Sequence, residues 1–123
     1  MELHKSGEDY LKIIYKLKVK KGNVRAVDIS LELGVTKPSV SRAVKVLKQM
    51  KYIYTNNNDI LLTSSGEKIA KQIYERYQLI SKVLENDFKI SSEISKHDAC
   101  LLEHDISDET YRKIRDHILL FHR

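Results

Sequence analysis

Val35-Thr36-Lys37-Pro38-Ser39-Val40-Ser41-Arg42 opens the segment whose reading decides the fold. Thr36 has the chemistry of a helix N-cap, because its hydroxyl can accept a bond from a first-turn amide. Pro38 falls in that first turn, where its missing N–H breaks no helical bond. Onward to Met50, Val40, Ala43, Val44 and Leu47 recur at helical spacing, which predicts a helix over 36–50 with one buried face. Its other face carries Lys37, Ser39, Ser41, Arg42, Lys45 and Lys48. Cations interleaved with short hydroxyls suit close approach to a polyanion.

Working upstream, Ile29 and Leu33 predict a short helix over 27–33, stopped by Gly34, with Asp28 near its positive end. A first helix is expected over 6–20, capped by Ser6 and ended by Gly22, with Leu11, Ile14, Tyr15 and Lys18 near helical spacing. Downstream, Tyr52-Ile53-Tyr54-Thr55 and Ile60-Leu61-Leu62-Thr63 are β-prone runs around Asn56-Asn57-Asn58-Asp59, whose residues tolerate left-handed backbone. Helix, tight turn, helix and hairpin is the order of a winged helix-turn-helix, whose second helix enters the major groove N-terminus first. Thr36, Lys37, Pro38, Ser39, Ser41 and Arg42 would then face the bases. Arg42 can hold guanine bidentately, whereas Lys37, Lys45 and Lys48 suit phosphates. Arg25 and hairpin-tip Asn57 complete the expected DNA-contacting set, with Asn56 and Asn58 beside the latter.

Beyond the hairpin, a long helix is expected from Ser64 or Ser65 to about Glu85, carrying Ile69, Ile73, Ile80 and Leu84. A fifth, capped by Ser91 or Ser92, runs through His104, and a sixth opens at Ser107-Asp108-Glu109. On the fifth, Cys100, Glu103 and His104 stand at i, i+3 and i+4 and share one face. A thiolate, a carboxylate and an imidazole aimed at one spot form an incomplete metal sphere. Singly, each has a plainer reading: a small buried hydrophobe, a solvated helix charge, and a cation near a helix C-terminus.

The 123 residues carry a net charge of +5. Residues 1–75 hold 14 Lys and Arg against 8 Asp and Glu, and residues 76–123 hold 8 against 9. The basic half is the candidate polyanion surface. One cysteine excludes an internal disulfide and fits a reducing cytosol. No apolar run approaches the roughly 20 residues of a membrane span, and Met1-Glu2-Leu3-His4-Lys5 lacks a secretory apolar core. Nor is there a Gly-rich substrate loop, a His-Glu-x-x-His helix or a nucleophile elbow, which argues against an enzyme.

Four stretches together resemble the diphtheria toxin repressor / manganese transport regulator (DtxR/MntR) family. They are Ser6-Gly7-Glu8-Asp9-Tyr10-Leu11, Val35 to Arg42, Leu62-Thr63-Ser64-Ser65-Gly66, and Ala99-Cys100-Leu101-Leu102-Glu103-His104-Asp105-Ile106-Ser107-Asp108-Glu109. The resemblance implies a mainly α protein: a winged helix-turn-helix over 1–63 with a small β-hairpin wing, then a helical metal-binding and dimerisation domain over 64–123. It further implies the short form without an SH3-like domain. Asp9, Cys100, Glu103 and His104 match the primary metal site, for Mn(II) or Fe(II), and the departures described next set the expectation at one ion per protomer. A cytoplasmic homodimer on a pseudo-palindromic DNA operator follows, with no membrane and no small-molecule substrate, and Ile94, Leu101, Ile114, Ile118 and Phe121 are candidates for the dimer face or the domain core.

The chain also departs from that family. A second, ancillary site uses a His and an acidic residue where this chain has Tyr77 and Ser81. Manganese-type members place Glu where Lys12 stands, and Lys96 replaces a His found in some members, with His97 adjacent but turned about 100° away. Lys12 would repel a metal and can pair with Asp9 one turn before it. The competing expectation is a winged-helix regulator that has lost metal control.

Overall fold

The element order is α1 (Lys5–Lys21), α2 (Ala26–Leu33), α3 (Lys37–Gln49), β1 (Ile53–Asn56), β2 (Asp59–Leu62), α4 (Ser64–Asn86), α5 (Ser92–Asp105) and α6 (Asp108–Phe121). This computed structural model describes residues 3–121, excluding the side chain of Phe121, so that residue's expected place on a dimer face lies outside the described residues. The mainly helical, winged helix-turn-helix order is the one expected. Two compact units divide the chain, Met1–Gln72 and Ile73–Arg123.

In the first unit the helix-turn-helix forms as its caps dictate. Thr36 caps α3, its Oγ1 accepting the Ser39 amide at 3.2 Å. Before it, Gly34 adopts φ 68°, a left-handed conformation that a side chain would strain, and donates its N–H to Ser30 O at 2.9 Å. α1 departs from expectation. His4, not Ser6, is the N-cap, and it contributes no side-chain bond; its carbonyl accepts the Glu8 amide at 3.0 Å and so starts the helix early. α2 likewise begins at Ala26, because the Asp28 carboxylate accepts the Arg25 amide at 2.9 Å.

The wing is a two-residue hairpin. Asn56 pairs with Asp59, and Asn57 and Asn58 take φ 50° and 68°, the mirror-image turn that matches strand twist. Ile53 and Ile60 point inward, joining Leu11, Ile14 and Leu17 of α1, Ile29 of α2, and Val40 and Leu47 of α3 in one apolar cluster. Ile60 also donates its amide to Val24 O at 2.8 Å, which ties the wing to the α1–α2 connection.

At the wing exit, Gly66 lies against the backbone of Tyr52. A Cβ there would sit 1.9 Å from the Tyr52 carbonyl oxygen, so no other residue fits without a shift. Thr63 fixes this approach: its amide donates to Tyr52 O at 3.0 Å and its hydroxyl to Lys51 O at 2.7 Å.

The second unit buries Ile73 and Ile80 of α4, Ala99 of α5 and Ile118 of α6. Ser91 caps α5 through the Ile94 amide. Arg76 organises the start of α6: it donates to Ile106 O at 3.3 Å, pairs with Asp108, and lies 4.8 Å above the Tyr111 ring. Of the residues expected on a dimer face or in the core, Ile118 is interior, Ile114 is half-buried, and Ile94 and Leu101 are exposed. No described helix is long and apolar enough to cross a membrane.

Candidate functional site

Helical periodicity sets the geometry of the α5 donors. Glu103 and His104 follow Cys100 by three and four residues, so all three rise from adjacent turns of one helix face. The Glu103 side chain is fully buried and that of His104 is 4% exposed, with Oε1 and Nε2 3.3 Å apart. Two cis ligand atoms on an ion with bonds near 2.1 Å stand about 3 Å apart, so this spacing fits chelation. Burying a carboxylate is costly unless a cation or donor compensates it. Cys100 is half-buried. Thiolate, carboxylate and imidazole together suit a divalent first-row ion.

Asp9 belongs to the first unit, one turn into α1, with its side chain 39% exposed. Lys12 lies one turn on, its Nζ 3.7 Å from Asp9 Oδ1 and its side chain only 5% exposed. The pairing follows from the i,i+3 spacing; the depth of burial does not. At the ancillary positions Tyr77 stacks on Tyr74, with ring centroids 6.2 Å apart, and Ser81 is buried. Neither a phenol in a ring stack nor a hydroxyl is a good ligand for a first-row ion at neutral pH.

The expected DNA-facing residues lie where α3 and the hairpin put them. Thr36, Lys37, Pro38, Ser41, Arg42, Lys45 and Lys48 are exposed, as are Arg25 and Asn57, and Ser39 is half-buried. Three lysines of α1 tie this unit together. Lys16 pairs with Glu32 at 2.8 Å, Lys18 with Asp59 at 2.6 Å and Lys21 with Asp28 at 2.8 Å. Those ammonium groups hold all three carboxyls below their usual range, Asp28 and Asp59 being helped by a backbone amide. Sequence reasoning missed these pairs, and also missed the contacts Arg42 makes within α3. Ion pairs between elements leave no periodic signal in a chain.

Residues 2–59 match the family profile described as the iron dependent repressor, N-terminal DNA binding domain, and residues 63–121 match its metal binding and dimerisation domain. The chain belongs to the iron-dependent repressor family. Among curated relatives in that family, the transcriptional regulator MntR of Salmonella typhimurium is 35% identical over 84% of this chain and 66% of its own length. MntR of Bacillus subtilis is 33% identical over 94% of this chain and 82% of its own. Among solved iron-dependent-repressor folds, the manganese regulator SloR superposes with a TM-score of 0.81 at 29% identity, covering 96% of this chain and 54% of that one. IdeR of T. acidophilum gives 0.81 at 27% identity, covering 90% and 53%. The chain thus spans about two thirds of the Salmonella relative's length and about half of these solved chains.

Proposed function

We propose that this chain is a metal-dependent, DNA-binding transcriptional repressor of metal-uptake genes, acting in the cytoplasm as a homodimer on a pseudo-palindromic operator. Residues 1–63 read the duplex, and residues 64–123 hold metal and the second copy. The observation that carries this is the buried Glu103–His104 pair, with donor atoms 3.3 Å apart, in a chain whose other unit bares a basic recognition face. We assign it no catalytic residue.

Asp9, Cys100, Glu103 and His104 are the proposed ligands of one Mn(II) or Fe(II) per protomer. The bound ion supplies the positive charge that makes three anionic donors compatible in one place. Asp9 contributes its carboxylate from α1, and the other three contribute from α5. The arrangement that engages both sets is stabilised, which fixes the spacing of two recognition helices, and metal and DNA then raise each other's affinity equally. Lys12 limits the count. Its ammonium and one divalent ion balance Asp9, Glu103 and a Cys100 thiolate, so a second ion would leave uncompensated buried charge. Tyr77 and Ser81 add no strong ligand for one.

An apolar cleft of 490 Å³ on the second unit, lined by Ile80, Val83, Leu84, Phe88, Leu102 and Ile114, suits the second copy. Leu119 and Leu120 extend the apolar surface of the same unit.

A second reading has one observation in its favour. The buried Lys12 ammonium beside Asp9 is an internal cation that compensates the carboxylate without metal, as in a regulator that no longer responds to ions. Selection of duplexes from a random pool, run with Mn(II) and with a chelator, separates the two. Enrichment in Mn(II) alone, lost in Glu103→Ala and His104→Ala, supports the metal-dependent reading. Equal enrichment with chelator establishes the metal-independent one.

A further inference from the structure

Arg42, the proposed base-reading residue, is not a free side chain on the face of α3. Its Nη2 donates to Ser39 Oγ at 3.3 Å, one turn toward the helix N-terminus. Ser39 Oγ in turn accepts the Thr36 hydroxyl at 2.9 Å, and Thr36 is the N-cap. A chain of side-chain bonds therefore runs from the cap to the guanidinium. It holds Arg42 along the end of the helix that enters a major groove first.

Ser39 and Arg42 also line one cavity of 480 Å³ between α1 and α3.

We propose that Ser39, itself held by the Thr36 cap, is a positioning residue for Arg42 and so sets base discrimination. An exposed arginine has many rotamers to lose on docking; one already held near its bound direction loses fewer, and preorganisation favours the correct base. Ser39 thus acts through Arg42 rather than as a direct contact of its own. The proposal rests on the DNA-reading role given to Arg42 above.

The test uses the full chain, saturating Mn(II), the duplex selected from the random pool, and single-base-pair variants of its half-site. Arg42→Ala should lower discrimination at one base pair by about ten- to hundredfold. Ser39→Ala, which deletes little more than a hydroxyl, should lose several-fold at that same base pair. It should lose no more when combined with Arg42→Ala, Ser39→Thr should keep most of the discrimination, and the salt dependence should match the unsubstituted protein. A purely structural role would instead weaken all duplexes alike. Losses that multiply with that of Arg42→Ala, or that fall on other base pairs, overturn the proposal while leaving Arg42 as the reader. Full discrimination in Arg42→Ala overturns both.

Discussion

Lys18 Nζ donates to Asp59 Oδ1 at 2.6 Å, joining the end of the first helix to the first residue of the second wing strand. The same carboxylate oxygen accepts the Val24 amide at 2.9 Å, so one side chain gathers helix, loop and wing. Lys18 holds the Asp59 carboxyl below its ordinary value of 3.8, with the Val24 amide adding to the effect. A depressed acid contributes stability that is fully present above its unfolded value and is lost as pH falls through the folded one. Asp28 and Glu32, lowered by Lys21 and Lys16, act in the same direction. The DNA-binding unit should therefore keep its melting temperature down to about pH 4 and lose it progressively below. Asp59→Asn should lower the neutral-pH melting temperature by a few degrees and flatten that acid limb. Calorimetry between pH 2.5 and 7 checks both, and an unchanged acid limb in Asp59→Asn would remove this carboxylate from the account.

Gly66→Ala places a methyl on the Tyr52 carbonyl, a backbone group that cannot swing aside. The wing exit or the first turn of the fourth helix must move, at a cost of about 1–3 kcal/mol or more. Thermal melts of the full chain should show the loss. A melting temperature equal to that of the unsubstituted protein would mean that this approach relaxes freely.

Much of this architecture was legible because local chemistry and periodicity agree. Thr36 and Pro38 mark the start of the recognition helix, and it begins there. Asn57 and Asn58 tolerate left-handed backbone, and the wing turns on them. Cys100, Glu103 and His104 share a face by spacing alone. Other features were hidden because they join residues far apart in the chain. Arg76 meets Ile106, Asp108 and Tyr111 across 30 or more positions, and no pattern announces it. Lys12 was legible as a partner for Asp9 but not as a buried one, since burial depends on what packs over a helix. The first helix starts ahead of Ser6 because a backbone carbonyl suffices where the sequence offered a hydroxyl. Ile118 and Ile94 both read as apolar face positions, yet one is interior and the other exposed; hydrophobicity alone cannot tell a core from an interface.

Lys45 and Arg42 share the exposed face of the recognition helix but are proposed to do different work. A phosphate contact contributes equally on every sequence and adds about one unit to the dependence of log affinity on log salt. Lys45→Ala should therefore weaken selected and random duplexes by the same factor and reduce that slope by about one. Arg42→Ala should weaken the selected duplex far more than the random one. Titrations at several salt concentrations, on both duplexes, distinguish them; equal losses for Arg42→Ala would make it a phosphate contact too.

Lys12 carries the sharpest prediction about metal. Its ammonium lies 3.7 Å from Asp9 and is almost wholly buried, so its charge counts in full toward the balance of the proposed site. With lysine, one divalent ion neutralises the three anionic donors. With glutamate, the donors gain a fourth negative charge and the ammonium disappears, so neutrality calls for two ions. Anaerobic titration of reduced protein with Mn(II) should thus reach one ion per chain for the unsubstituted protein and two for Lys12→Glu. Lys12→Met should bind its first ion more tightly, because the repulsion between ammonium and metal is gone. Melting curves of each apoprotein establish that the variants are folded before they are titrated. Two ions in the unsubstituted protein would show that charge balance does not set the count, and one ion in a folded Lys12→Glu would place the limit at Tyr77 and Ser81 instead.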